Sequence, residues 1–229
     1  MENNLLNVRM LGTVSYSEAL DLQHELLRQR QESTIPDTLL LLEHPPVLTL
    51  GRSSDTKDIL LPREALERRG VEVVEIERGG EVTYHGPGQI VGYIFMHVDR
   101  VRGDLGRLIT NIEEIFIELL KDEYGIAAGR DPEHRGVWIG NRKITAVGIA
   151  IRKRVTFHGF AFNVNTDLNH FSWIIPCGIR GKGVTSLHSE IGKKSDINSV
   201  MIRTAEYFKS VFGYTEMKIQ EECLQIDET

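Results

Sequence analysis

Cysteine is scarce: the 229 residues hold two, Cys177 and Cys223. A chain of this length with 41% hydrophobic residues can bury a full core without cross-links, so each cysteine reads as a free thiol rather than half of a disulfide. Long apolar runs are also missing. None approaches the ~20 residues needed to cross a bilayer, and the opening Met1-Glu2-Asn3-Asn4 lacks the basic and apolar stretches of a secretory signal. A soluble cytoplasmic protein is expected. Excess positive charge is lacking too: the formal net charge of -6 argues against general nucleic-acid binding, which needs cations to displace counterions from phosphates. There is no His-x-x-x-His, no Cys-x-x-Cys, no internal repeat and no low-complexity linker. Neither a metal site nor a cofactor is expected, and one domain over 1–229 is the simplest division.

Secondary structure is legible from periodicity and punctuation. Ser15 or Ser17 can cap a helix to about Gln31, on which Tyr16, Ala19, Leu20, Leu26 and Leu27 recur at helical spacing. Thr38–Leu42 reads as a buried strand that His44-Pro45-Pro46 ends. A short helix between Pro62 and Gly70 precedes a strand over Val71–Ile76. From Asp104 to Tyr124 a continuous apolar face, from Leu105 through Leu120, predicts a long helix stopped by Gly125. Strands over Val137–Ile139 and Ile144–Ile151 flank a Gly140-Asn141 turn, Val155–Val164 extends the same sheet, and a last helix covers Asp196–Phe212 before a short tail. Strands in adjacent runs with irregularly placed helices indicate an α+β fold, a central mixed sheet flanked by helices.

Three segments can carry chemistry. Arg78–Gln89 packs four glycines and a proline between strands, more than turns need, and lets backbone approach a ligand beside Thr83, Tyr84 and His85. The plainer reading is a long decorated hairpin loop. Pro176-Cys177-Gly178-Ile179-Arg180-Gly181-Lys182-Gly183 sets a thiol among glycines and cations, the electropositive setting that lowers a thiol's pKa from about 8.5 and makes it nucleophilic. Amides at Cys177 and Gly178 can donate to a developing oxyanion. Gly181-Lys182-Gly183 lacks the spacing of a phosphate-binding loop, which excludes nucleotide binding through it. In the third segment Ile144, Ala146, Gly148 and Ala150 alternate along one strand face, leaving a groove fit for a lipid chain or for close packing. Lys143 at its start is the candidate partner of Cys177. His158-Gly159-Phe160-Ala161 begins the neighbouring strand with another pair of small residues.

These segments together resemble the lipoyl(octanoyl) transferases. The resemblance rests on Arg78-Gly79-Gly80 with Thr83-Tyr84-His85, Gly88-Gln89 and Tyr93, on Gly140-x-x-Lys143-Ile144, and on Pro176-Cys177-Gly178-Ile179. Supporting matches are His44-Pro45-Pro46-Val47, Leu50-Gly51-Arg52, Asn163-Val164, Asp167-Leu168 and Phe171. The resemblance implies a fold similar to the catalytic module of biotin and lipoate protein ligases. It implies that Cys177 carries the acyl group as a thioester and that Lys143 lowers its pKa. It implies substrate binding by Arg78, Gly79, Gly80, Glu81, Val82, Thr83, Tyr84 and His85, by Ala146, Val147 and Gly148, and by Gly159, Phe160 and Ala161. The donor it implies is octanoyl-acyl carrier protein, and the acceptors are lipoyl domains of 2-oxoacid dehydrogenases or the glycine cleavage H protein. Both are acidic partners, for which Arg152–Arg154 and Arg180 form a candidate docking patch.

Three other readings stand beside it. An ATP-dependent lipoate or biotin ligase shares the expected fold but needs no thiol. A cysteine thioesterase would use Cys177 with His85 or His158 and release free acid. A passive binder of acyl carrier protein would need Cys177 for nothing.

Overall fold

A computed structural model describes residues 4–54, 56–174 and 181–222. The strands and α-helices run β1 (Leu5–Thr13), α1 (Tyr16–Gln31), β2 (Asp37–Glu43), β3 (Val47–Leu50), α2 (Arg63–Glu67), β4 (Glu72–Glu75), β5 (Val82–His85), β6 (Gln89–Phe95) and α3 (Leu105–Tyr124). They continue with β7 (Gly129–Arg130), β8 (Val137–Ile139), β9 (Arg142–Arg152), β10 (Val155–Asn163), β11 (Gly183–Val184), α4 (Leu187–Ile191), α5 (Ile197–Phe212) and β12 (Glu216–Glu221).

The expected helices start and stop where side chains satisfy orphan backbone groups. Ser15 caps α1 in a reciprocal box with Glu18, and Asp104 and Asp196 cap α3 and α5. Gly125 and Gly213 close α3 and α5 in the left-handed conformation. The strands form a mixed sheet in the order β12-β1-β2-β6-β10-β9-β8-β7, with β11 also paired to β9, and a second sheet β4-β3-β5. β12, β1 and β2 run parallel to one another, whereas β2, β6, β10, β9, β8 and β7 are successively antiparallel.

Helices α3 and α5 pack together beneath one face of the large sheet over a core that includes Ile112, Phe116, Phe160, Phe162 and Phe208. Helix α1 covers part of the other face through Ala19, Leu26 and Leu27, against Leu40, Tyr93 and Phe157. The small sheet has its own core of Leu48, Leu66, Val82, Tyr84 and Phe171. Among the described residues no helix is long and apolar enough to cross a membrane.

Several expectations need correction. The residues after Phe212 are not merely a tail, because Glu216–Glu221 forms edge strand β12 on β1. β12 alternates Glu216, Lys218 and Gln220 with Met217 and Ile219, and its half-buried face is too weak to stand out before a partner strand exists. β1 was not foreseen either. The glycine-rich Arg78–Gln89 segment is not all loop, since Val82–His85 pairs antiparallel with β3. Ile144 also leaves the face of Ala146 and Gly148, for the reason given next.

Candidate active site

The register between β8 and β9 slips near Lys143: Val137 faces Thr145 but Trp138 faces Lys143, so Ile144 is an extra residue, a β-bulge. Strict alternation would put Lys143 on the face of Val147 and Ile149, which pack into the α3–α5 core. The bulge instead sends Ile144 into that core, fully buried, and turns Lys143 to the side of Ala146. Lys143 there borders a small cavity with Thr83, Gln89, Ala146, Ala161, Asn163, Phe171 and Val184.

Thr83, Ala146 and Ala161 are shared with a larger cleft of about 560 Å³, partly open to solvent. That cleft is lined by Arg78, Gly79, Gly80, Glu81, Val82, Thr83 and His85 from the glycine-rich segment, by Ala146, Val147 and Gly148 from β9, and by Gly159, Phe160 and Ala161 from β10. Tyr16, Val91, Tyr93 and His158 complete it. Its walls are mostly apolar, as in small-molecule sites.

Small residues make the cleft possible. A Cβ on Gly148 would come within 3.2 Å of the Arg78 side chain and of the Gly79 carbonyl, so a side chain there would press the Arg78 segment away from β9 by a few tenths of an ångström. A Cβ on Gly159 would sit 2.0 Å from the Gly92 carbonyl oxygen. Of the expected substrate residues, Tyr84 is placed elsewhere. Its ring points into the small-sheet core, its hydroxyl lies 2.6 Å from His170 Nδ1, and it contacts Phe171 and Trp173. The Phe160 ring packs on Phe116 under α3 even though the residue borders the cleft.

Arg78 spends its guanidinium on structure around the cleft. Nη2 donates to the Thr49 carbonyl at 2.8 Å and to Thr49 Oγ1 at 2.9 Å, and Nη1 donates to the Gly79 carbonyl at 3.1 Å. His85 Nδ1 donates to Gln89 Oε1 at 2.7 Å, because an amide oxygen only accepts. Gln89 Nε2 donates to Asn163 Oδ1 at 2.9 Å, Asn163 Nδ2 to the Thr185 carbonyl at 3.0 Å, and Thr185 N to the Lys143 carbonyl at 2.9 Å. This relay joins the glycine-rich segment, β10 and the Lys143 strand. Gln89 and Asn163 were matched as family residues but not singled out for the site, since a buried amide's role depends on partners distant in sequence.

His85 and His158 line the cleft, and the His44 ring packs 5.9 Å from that of His85. His44 Nδ1 donates to the Val14 carbonyl at 2.7 Å, which leaves Nε2 to accept from the Tyr93 hydroxyl at 2.7 Å. His158 has a left-handed φ of 57°, which a non-glycine residue holds at a cost of about 1–2 kcal/mol, and its N–H donates to Gln23 Oε1 at 3.2 Å. Burial pushes His44 down to about 4, and His85 and His158 down to about 3. Charge adds to this: His44 opposes protonation of His85, and Arg78 opposes protonation of both His85 and His158. All three are neutral at pH 7.

A pH dependence of stability follows. Unfolded, each histidine titrates near 6.5, so between pH 6.5 and about 4 the unfolded chain binds protons that the fold refuses. Stability is therefore intact above pH 6.5 and falls as pH drops, by at most about 1.4 kcal/mol per pH unit for each histidine. Urea unfolding at pH 7, 6, 5 and 4 should show this slope. The variant His44→Gln should flatten it by about a third, and an unchanged slope would deny the histidines this role.

Several cations, Arg152 and Arg154 of the candidate docking patch among them, pair with carboxylates of the fold. Arg142 pairs with Glu190, Lys182 with Asp131, Arg152 with Glu77 and Arg154 with Asp99. Arg152–Arg154 also sits at the far end of β9, about 30 Å from Lys143 at ~3.3 Å per residue. Asp131, Glu133 and His134 do bring three potential ligand atoms within 4.8 Å, which sequence spacing had not suggested. Asp131 is already engaged by Lys182 and by the amides of Glu133 and His134.

Cys177 and Arg180 lie outside the described residues, as does Cys223. The described chain before Cys177 is held at the small-sheet core and the chain after it on the Lys143 strand. Ile174 bridges to Ile59, and Gly183 and Val184 pair in parallel with Arg142 and Lys143.

Comparison with known proteins places this geometry. The model of the lipoyl protein ligase A/B catalytic domain matches residues 15–209. An octanoyltransferase of Caldicellulosiruptor saccharolyticus is 52% identical over 96% of this chain and 94% of its own length, and one of Desulforamulus reducens is 46% identical over 96% of both. The fold is similar to that of a lipoate-protein ligase A bound with ATP, with a TM-score of 0.71 and 17% identity over 99% of this chain and 90% of the other. It is also similar to the biotin protein ligase of Aquifex aeolicus, with a TM-score of 0.52 and 16% identity over 90% of this chain and 69% of the other. A family match across the sheet and cleft, with relatives this similar over almost the whole chain, means that this protein belongs to the octanoyltransferases of the lipoyl protein ligase A/B catalytic-domain family.

Proposed function

We propose that this acyltransferase carries an octanoyl group as a thioester on Cys177, taking it from octanoyl-acyl carrier protein and passing it to the lysine of a lipoyl domain. The observation that supports this most is the bulge at Ile144. It turns Lys143 to a cavity that shares Thr83, Ala146 and Ala161 with the apolar cleft, at the strand position paired with the segment that follows Cys177.

In the first half-reaction the Cys177 thiolate attacks the carbonyl carbon of the carrier thioester. A new S–C bond forms, the carrier's S–C bond breaks, and the carrier leaves as a thiol. One thioester replaces another, so the exchange needs no ATP. Lys143 takes the thiol proton, stabilises the sulfur anion as an ammonium, and gives the proton to the departing carrier sulfur, which leaves Lys143 neutral for the second half-reaction. In the second half-reaction a neutral lysine amine attacks the enzyme thioester. An amide C–N bond forms, Cys177 leaves as thiolate, and the amine proton passes to Lys143 or, through it, to the sulfur. The octanoyl tail lies along Ala146, Gly148, Gly159 and Ala161 beneath the Arg78–His85 segment. The compartment proposed is the cytoplasm, since a working thiol needs reducing surroundings.

Intact-protein mass spectrometry after mixing with octanoyl-acyl carrier protein, without ATP, tests the reading. The expected result is one added octanoyl mass, absent in Cys177→Ser and removed by apo lipoyl domain. A Cys177→Ser enzyme that still octanoylates the domain, or turnover that requires ATP, points to ligase chemistry instead. Release of free octanoate with no domain product points to a thioesterase.

A further inference from the structure

We propose that Trp138 is a positioning residue for Lys143, holding its ammonium over the indole face at the edge of the cavity; this rests on the catalytic role given to Lys143 above. Trp138 lies directly across from Lys143 in the β8–β9 register, and Lys143 Nζ is 4.8 Å from its ring centroid. That is within the ~6 Å at which a ring's quadrupole attracts a cation.

The ring is fixed and is not an ordinary core residue. It is 4% exposed, yet it belongs to none of the three apolar clusters among the described residues. Its Nε1–H donates to the His134 carbonyl at 3.1 Å, which sets the plane of the indole. A second ammonium, Lys182, stands 5.1 Å from the same centroid. Lys182 is also paired with Asp131. Lysine is a flexible four-carbon stem carrying a point charge, and a fixed ring face opposite it narrows the positions its head group takes.

The test reads the pH profile of Cys177 alkylation by iodoacetamide together with kcat and KM for octanoyl transfer. In Trp138→Leu the ammonium is less well held beside the sulfur, so the alkylation midpoint should rise toward the free-thiol value. kcat should fall about tenfold with KM for both substrates within about twofold, the size expected for a partly desolvated cation–π contact. Trp138→Phe, which keeps an aromatic face, should recover most of both. Should Trp138→Leu fail to fold, tetrafluorotryptophan introduced in a Trp173→Phe background keeps the shape of Trp138 while draining its quadrupole. It should shift the profile the same way relative to unfluorinated Trp173→Phe enzyme.

Lys143→Ala separates the two levels of inference. If Lys143→Ala moves the profile but neither Trp138→Leu nor the fluorinated enzyme does, the positioning role of Trp138 is wrong. If Lys143→Ala itself leaves profile and kcat unchanged, the role of Lys143 is wrong and the proposal falls with it.

Discussion

Replacing Lys143 with alanine should lower kcat for octanoyl transfer by about 10²- to 10⁴-fold, the range over which a positioned acid–base group acts. The loss should appear in both half-reactions, because the same amine takes the thiol proton and later handles the proton of the acceptor lysine. Stability should change little. Lys143 is only half-buried, and the bulge that aims it is held by Ile144 in the α3–α5 core and by the Thr185 N–H on the Lys143 carbonyl, neither of which needs the side chain. Urea unfolding alongside single-turnover acylation and deacylation separates the two effects. A Lys143→Ala enzyme within a few-fold of wild type would remove the proposed mechanism. Lys143→Arg keeps a cation but gives up a proton far less readily than a lysine, so it should form thiolate yet transfer poorly.

The largest expected loss of stability is at Asp37, far from the chemistry. Its carboxylate is 5% exposed and accepts from Arg30 Nε at 2.7 Å, Arg100 Nε at 2.9 Å, the Tyr214 hydroxyl at 2.8 Å and the His97 N–H at 3.3 Å. These partners come from the end of α1, the 3-10 turn Val98–Val101 and its cap, and the segment joining α5 to β12. Asp37 thus ties three parts of the chain to the start of β2. Asp37→Ala would leave two guanidiniums facing each other with no shared anion, one of them lying over the Tyr214 ring at 3.8 Å. Breaking a buried ion pair by removing one partner costs about 3–5 kcal/mol, and that is the loss expected from denaturant midpoints at pH 7. A loss under about 1 kcal/mol would mean that water or rearranged arginines replace the carboxylate. Since the cleft is built from β5, β6, β9 and β10, kcat of the enzyme that remains folded should be near normal.

Much of this was legible before any coordinates. The long amphipathic helices and their caps are local in cause, so the Asp104 to Gly125 and Asp196 to Gly213 boundaries appear in the structure where the sequence puts them. The glycine-rich segment and the small residues of β9 and β10 were also recognisable, because excess glycine needs explaining even without a partner. Their convergence on one substrate site is implied by the family resemblance, not by the residue pattern of any one segment. β1, β12 and β5 were missed or underrated because a short strand's alternation is weak alone and acquires meaning from the strand beside it. The bulge at Ile144 inverted an alternation argument that was correct in form. Nothing in Arg142-Lys143-Ile144-Thr145 marks the extra residue, which exists because β8 pairs out of step.

By itself, then, the sequence determined the residue types available for chemistry, the helices, the α+β class and the family, all of which depend on near neighbours or on motifs kept in order. Only the tertiary structure decided that Lys143 borders a cavity beside the cleft instead of entering the core, that Trp138 lies across from it, that the Gln89–Asn163 relay joins its strand to the glycine-rich segment, and that three histidines are buried neutral at and behind the cleft wall. It also decided that Arg152–Arg154 lies at the opposite end of β9, paired with carboxylates from elsewhere. The physical reason is common to all of these: side-chain direction, burial and charge compensation come from contacts between residues tens to hundreds of positions apart, and sequence spacing carries no record of them.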